Sequence, residues 1–290
     1  MASTRPDQAE GLRRLLDRSG LRVVSISAGA RGTTAAIINL AGALAELGND
    51  ALILDAHPAA HGVSAALGLT ARFDFEDVVR RSRNLDEVIV RGPAGIRILP
   101  LARGARSLAQ MPAPEQQRLL DRCGRLGFPV DTILVDAAPR GASALAWPGT
   151  AAQEVIVIAG GGAAAITAAY AAIKRLSKEL ARREFHVLVS DVASEREAQT
   201  IFDNMAAVAR RYLRASLHFI GHVPPDDKLQ HAAQLRLPVV AAFPGAAAAA
   251  SFRSLAQAVA GWPRAEEDEH GFDDFMRRLI HSNGPRTAAA

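Results

Sequence analysis

The sequence predicts an α/β protein: a doubly wound, mostly parallel sheet with helices on both faces. Three observations carry that expectation. Apolar strand-like runs alternate with helical patterns along most of the chain. Those runs are apolar almost without interruption, as in sheets covered on both sides. Where they end stand Ser27, Asp55, Asp136, Ala159 and Ser190, and the carboxyl ends of such strands are where ligands bind.

In order, residues 22–27 form an apolar strand followed by a small-residue loop, and residues 34–47 an alanine- and leucine-rich helix. Residues 51–54 make a second strand ending at an acid. Further strands are expected at 96–101, 132–135, 154–158, 186–189 and 218–221, and further helices at 163–183 and 195–213. Residues 1–20 read as a separate N-terminal element, 21–264 as the α/β domain, and 265–290 as an acidic linker with an amphipathic helix.

Composition agrees with one large or two small globular units: 290 residues, 49% hydrophobic but only 5% aromatic, so close helix-on-sheet packing through alanine and valine is expected. A single cysteine, Cys123, placed in a helix–strand connection, excludes a disulfide framework and a multi-cysteine metal site within one chain. No apolar run reaches the roughly 18 residues of a spanning helix, and no apolar stretch follows a basic start, so a cytoplasmic location is expected. The balance of 34 basic against 30 acidic residues reads as a mixed solvated surface and argues against nucleic acid as a partner.

The loop after the first strand reads Ser27-Ala28-Gly29-Ala30-Arg31-Gly32-Thr33-Thr34. A phosphate-binding loop places Gly-Lys-[Ser/Thr] at the mouth of the helix, the lysine on the outer phosphates and the hydroxyl on Mg²⁺. Gly29, Gly32 and Thr34 supply the small and hydroxyl residues of such a loop, but Thr33 stands at the lysine position. A lysine about 4 Å from a phosphate charge is worth roughly 4 kcal/mol at an effective dielectric near 20, close to a thousandfold in affinity. A helix N-terminus restores only about 0.3–2 kcal/mol. The backbone amides from Gly29 to Thr34 still offer an anion cradle, and Arg31 a charge, although a guanidinium in the loop does not copy a lysine reaching over it.

The two ends carry amphipathic patterns. Thr4, Pro6 and Asp7 form a helix start, and residues 8–18 a short helix with Ala9, Leu12, Leu15 and Leu16 on one stripe. Such a helix is marginal alone; it either packs on its own domain or orders on a partner, the second being the favoured reading. Near the C-terminus, Phe272, Phe275, Met276, Leu279 and Ile280 recur at helical spacing with Arg277 and Arg278 opposite. That face suits a membrane surface, the protein's own core, or a partner; Asp273, Asp274 and the preceding acidic run oppose the first.

Residues 22–262 resemble the MinD/ParA family of deviant-Walker ATPases. Asn39-Leu40-Ala41 with Leu44-Ala45-Glu46-Leu47-Gly48 is similar to that family's first helix, Leu54-Asp55-Ala56-His57-Pro58 to its Asp-x-Asp-Pro switch, and Asp131 to Asp136 to its second acidic strand. Asp7-Gln8-Ala9-Glu10-Gly11-Leu12-Arg13 fits the Asp-Gln-Ala-x-x-Leu-Arg motif of the flagellar-number regulators called FlhG or FleN. Ile166 to Lys174 resembles their Ile-Thr-Asp-Ala-Tyr-x-x-Ile-Lys helix, and Val223-Pro224-Pro225-Asp226 their Pro-x-Asp loop.

The resemblance implies ATP or ADP with Mg²⁺ as cofactor, Gly29, Ala30, Arg31, Gly32, Thr33, Thr34, Ser190 and Pro224 around the nucleotide, and Thr34, Asp55 and Asp136 on the metal side. It implies Asp7, Gln8, Ala9, Leu12 and Arg13 as contacts to an FlhF-type GTPase of the signal-recognition-particle family. Flagellar switch proteins or a flagellar transcription factor are implied as further partners, with peripheral contact at the inner face of the cell membrane and a monomer or homodimer. The departures fall on chemistry: the family's signature lysine falls at Ala28, the Walker lysine at Thr33, the switch aspartate at His57, the adenine-reading asparagine at Ser190, and Pro-Glu-Pro at Gly160-Gly161-Gly162. Asp55, His57 and Asp136 therefore read as vestiges of catalysis. An imidazole can draw a proton from water, but without the lysines that water has no held phosphate to attack. The expected function is a flagellar regulator working as an adaptor with little or no ATPase activity. The alternatives are an active, ATP-dimerised ATPase and a ParA-like DNA-partitioning protein. Iron–sulfur relatives are disfavoured by the lone Cys123.

Overall fold

Along β1 (Arg22–Ala28) the side chains alternate between two interiors, Val23 facing one and Val24 and Ile26 the other. The computed structural model describes residues 20–28, 32–57, 62–104, 107, 111–123, 126–136, 152–263 and 272–281. Its remaining strands are β2 (Ala51–Asp55), β3 (Val90–Arg91), β4 (Arg97–Pro100), β5 (Thr132–Asp136), β6 (Glu154–Gly160), β7 (Glu184–Ser190) and β8 (Ser216–Val223). The same two-residue alternation recurs in β2, β5, β6 and β7, which is why these runs are apolar throughout: each side of the sheet needs its own set.

The strands form one sheet in the order β3-β4-β2-β5-β1-β6-β7-β8, parallel except for β3 against β4. Helices α1 (Thr33–Glu46), α5 (Asp227–Gln234) and α6 (Ala247–Gly261) supply one interior. The other is supplied by α2 (Ala113–Cys123), α3 (Ala163–Glu179), α4 (Glu195–Leu213) and α7 (Phe272–His281). Arg22 ties the start of β1 to the end of α6 through the carbonyl oxygens of Ala260 and Trp262. On α1, buried Asn39 donates to the Ala35 carbonyl at 2.7 Å and accepts the Val239 amide at 2.6 Å, joining segments 200 residues apart.

The chain leaves β1 toward β2 on one side and resumes at β6 on the other, so β1 marks the switch point where a crevice opens beyond the carboxyl ends. The doubly wound, mostly parallel sheet is thus as expected, and the differences are local. Helix α3 ends at Glu179 rather than at 183, because Ala181 turns left-handed (φ 53) and Arg182 reaches back to the carbonyls of Ala152 and Gln153. The antiparallel edge strand β3 was not expected; two residues carry no periodic signal. Cys123 is the buried last residue of α2, not part of a connection.

The largest difference is at the C-terminus. Phe275, Met276, Leu279 and Ile280 are fully buried, Phe272 packs beside them, and α7 lies against α2. The stripe, for which a membrane surface, the protein's own core and a partner were all open, lies in the protein's own interior in this conformation. A helix with four fully buried apolar side chains is stabilised by docking far more than by the few tenths of a kcal/mol its surface charges provide. No described helix is long and apolar enough to cross a membrane.

Candidate functional site

Strand register creates the site. Asp55 ends β2 and Asp136 ends β5, and the two are direct neighbours across the parallel pair. Asp55 shares the face of Ile53 and Asp136 that of Leu134, so alternation turns both toward the α1 side of the sheet. Both are buried, with 4% and 0% of their surface exposed, so bulk water hydrates neither carboxylate.

Several groups answer them. Thr34, in the first turn of α1, donates its hydroxyl to Asp136 Oδ2 at 2.9 Å. The backbone amide of His57 donates to Asp55 Oδ1 at 3.1 Å and that of Ser64 to Oδ2 at 3.4 Å. The His57 ring brings Nδ1 to 3.3 Å from Asp136 Oδ1 and 4.0 Å from Asp55 Oδ1. Its orientation leaves both His57 Nδ1 and Asp136 Oδ1 outside hydrogen-bond geometry with any described partner. Gly62 completes the pocket: a Cβ there would lie 2.2 Å from Asp55 Oδ2, so only glycine lets the chain pass this carboxylate.

Burial dominates the electrostatics. It pushes Asp136 up to about 6, against the pull of His57 and the Thr34 hydroxyl, with Asp55 adding repulsion. Burial likewise raises Asp55, opposed chiefly by the amide of His57. Two adjacent carboxylates in this condition are each short of positive charge. A divalent cation is what the donor set fits, and the orphaned Asp136 Oδ1 is the atom that would meet it. Thr34, Asp55 and Asp136 would hold Mg²⁺ beside a nucleotide. The imidazole is the misfit, since Mg²⁺ prefers oxygen ligands.

Beside the acids opens a cavity of about 420 Å³ between α1, the helical turn Val63–Ala66 and α5. Gly32, Thr33, Thr34 and His57 all line it, and Arg236 is the cation among its lining residues. Gly32 begins α1 in the left-handed region (φ 124) with no side-chain cap, so the first amides of the helix lack a side-chain acceptor. Of the expected nucleotide residues, Gly29, Ala30 and Arg31 lie outside the described residues, as do the expected partner contacts Asp7, Gln8, Ala9, Leu12 and Arg13. Ser190 and Pro224 do not line this cavity; the Ser190 hydroxyl donates to the Ala159 carbonyl at 3.2 Å.

The loop after Pro224 has a structural role that its pattern did not disclose. Asp226 accepts the amides of Lys228 and Ala248, both at 2.9 Å, and so caps α5 and α6 together. The amide of Ala248 above all holds its carboxyl below the usual range. Sequence reasoning also missed Arg236, whose only signal was a basic residue just past a short helix. It missed the part Gly62 plays, because the close approach depends on where Asp55 points.

A parallel sheet with acids at two neighbouring strand ends, a hydroxyl-bearing helix mouth and a crevice at the switch point defines the MinD/ParA class of α/β proteins. MinD of Aquifex aeolicus superposes with a TM-score of 0.60 at 21% identity, covering 83% of this chain and 98% of that one. The septum site-determining protein MinD of Pyrococcus horikoshii, complexed with Mg-ADP, gives 0.59 at 21% identity, over 82% and 96%. Against the antiactivator FleN of Pseudomonas aeruginosa, the chain is 30% identical over 272 residues, 93% of this chain and 96% of that protein. The chain belongs to the FlhG/FleN family. No protein-family model matches it.

Proposed function

We propose that this protein is a flagellar regulator that acts as a docking scaffold, with little or no ATP hydrolysis of its own. The observation that carries the proposal is Thr33. It occupies the first turn of α1 and lines the cavity where a triphosphate would be gripped, beside two buried carboxylates that oppose further negative charge. Phosphoryl transfer needs cations placed where charge develops, and the loop carries threonine and alanine at both lysine positions of the family pattern. The N-terminal segment then bears the activity: Asp7, Gln8, Ala9, Leu12 and Arg13 engage an FlhF-type GTPase and stimulate it. Flagellar switch proteins or a transcription factor are further partners, and contact with the inner membrane surface requires α7 to leave its core position.

The full chain, mixed with the partner GTPase, is expected to raise GTP turnover, with Gln8→Ala and Arg13→Ala abolishing the effect. Absence of stimulation, or stimulation indifferent to both changes, overturns the adaptor role. The retained Thr34, Asp55 and Asp136 favour a second reading, an ATPase dimerised by ATP. Submicromolar ATP–Mg²⁺ binding with turnover lost in Asp55→Ala would establish it instead.

A further inference from the structure

The three side chains at the ends of β2 and β5 carry a chemistry independent of nucleotide. Asp55, His57 and Asp136 each offer one ligand atom, and these atoms all lie within 4.8 Å of one another. Asp136 is fully buried and its Oδ1 has no hydrogen-bond partner among the described residues, nor does His57 Nδ1. Polar atoms so placed are costly unless something fills the space between them.

The spacing identifies what fits. Zinc binds imidazole nitrogen at about 2.0–2.1 Å and carboxylate oxygen at about 2.0–2.2 Å, so tetrahedral ligand atoms stand roughly 3.3–3.5 Å apart. His57 Nδ1 and Asp136 Oδ1 are 3.3 Å apart. Asp55 Oδ1 is 4.0 Å from the same nitrogen, and the backbone amides of His57 and Ser64 hold that carboxylate beside it. An imidazole among carboxylates moves preference from Mg²⁺ toward borderline ions such as Zn²⁺. The outer contacts are of the kind that orient metal ligands: Thr34 on Asp136 Oδ2, and the backbone amides of His57 and Ser64 on Asp55.

We propose that Asp55, His57 and Asp136 bind one divalent transition-metal ion of the zinc class without any nucleotide. Three protein ligands leave one coordination position open. His57 and Thr34 both line the 420 Å³ cavity, so the site adjoins it. Water or a small anion, a phosphoryl or carboxylate group, takes the fourth place. The ion neutralises the paired acids and so substitutes for the cations missing from the loop. Neither the N-terminal segment nor a GTPase takes part in this metal site.

The test uses the full chain, stripped with a chelator and free of nucleotide, titrated with Co²⁺ by visible absorption and with Zn²⁺ by calorimetry. One ion per chain is expected, with the intense visible band of four- or five-coordinate Co²⁺ and Zn²⁺ bound far tighter than Mg²⁺. His57→Asp should lose Zn²⁺ affinity by at least a hundredfold while keeping Mg²⁺, and Thr34→Val should lose about 10–100-fold. His218→Gln, on β8 away from the acids, should change neither. No Co²⁺ band, Zn²⁺ no tighter than Mg²⁺, or full binding in folded His57→Asp overturns the proposal. If His57→Asp does not fold, histidine NMR of the wild-type chain decides. Zn²⁺ must shift the His57 ring first, and saturation of other histidines alone refutes the site.

Discussion

Asp136 should make the protein less stable as pH rises, and Asp136→Asn should remove that dependence. In the folded chain its carboxyl is pushed from 3.8 to about 6, so between those values the native state holds a proton that the unfolded chain has released. The state with more bound protons loses stability as pH increases, so the penalty is absent below pH 3.8 and complete above about 6. At about 1.4 kcal/mol per pH unit, the gap sets a ceiling of about 3 kcal/mol. Asparagine keeps the shape and an acceptor for the Thr34 hydroxyl but gives up the stronger charge-assisted bond, so the gain falls below the ceiling, at about 1–2 kcal/mol. The assay is urea unfolding followed by circular dichroism, in chelator, at pH 4 and pH 7.5. The variant should be the more stable at pH 7.5 and no more stable at pH 4. An equal difference at both pH values, or a variant weaker at 7.5, would refute the assignment of the penalty to a buried, uncompensated carboxylate.

Three further expectations test the site and the packing around it. Thr33→Lys faces a cavity with room for the longer chain and should tighten ATP–Mg²⁺ binding at least about tenfold by calorimetry; no gain would mean the missing lysine is not what weakens the site. Phe275→Ala should cost about 3–5 kcal/mol in chemical denaturation, since the ring is fully buried; a loss below about 1 kcal/mol would show α7 undocked in solution. Gly42→Ala, which in a free helix stabilises by up to about 1 kcal/mol, should here destabilise by about 1–3 kcal/mol, because the new methyl meets Pro238 at 2.6 Å. Thermal unfolding reads the sign directly.

The central strands were legible because a run such as Thr-Ile-Leu-Val-Asp, buried on both sides, has few other folds open to it. Asp55 and Asp136 could be named as strand-end acids from sequence, but not as neighbours, since adjacency follows from strand order and register. His57 was visible as a departure from the switch pattern. Its 3.3 Å approach to Asp136 was not, because a ring orientation depends on three elements meeting. The C-terminal stripe illustrates the opposite limit. Helical spacing of Phe275, Met276, Leu279 and Ile280 discloses an apolar face without saying which surface will cover it, and α2, whose own stripe receives it, lies about 150 residues earlier. The double cap at Asp226 was illegible for the same reason: one of its two amides belongs to a helix 22 residues away.

The Asn39 bridge has a mechanical meaning. Its side chain grips the amide of Val239 while its own helix begins at the rim of the crevice, so whatever presses on that rim also presses on the chain leading into α6. The carboxamide is not the only tie there: α1 also packs along α6, and Gly42 passes close against Pro238. The rim of the crevice and the entry to α6 are therefore parts of one packed unit, and a change of shape at one is borne by the other.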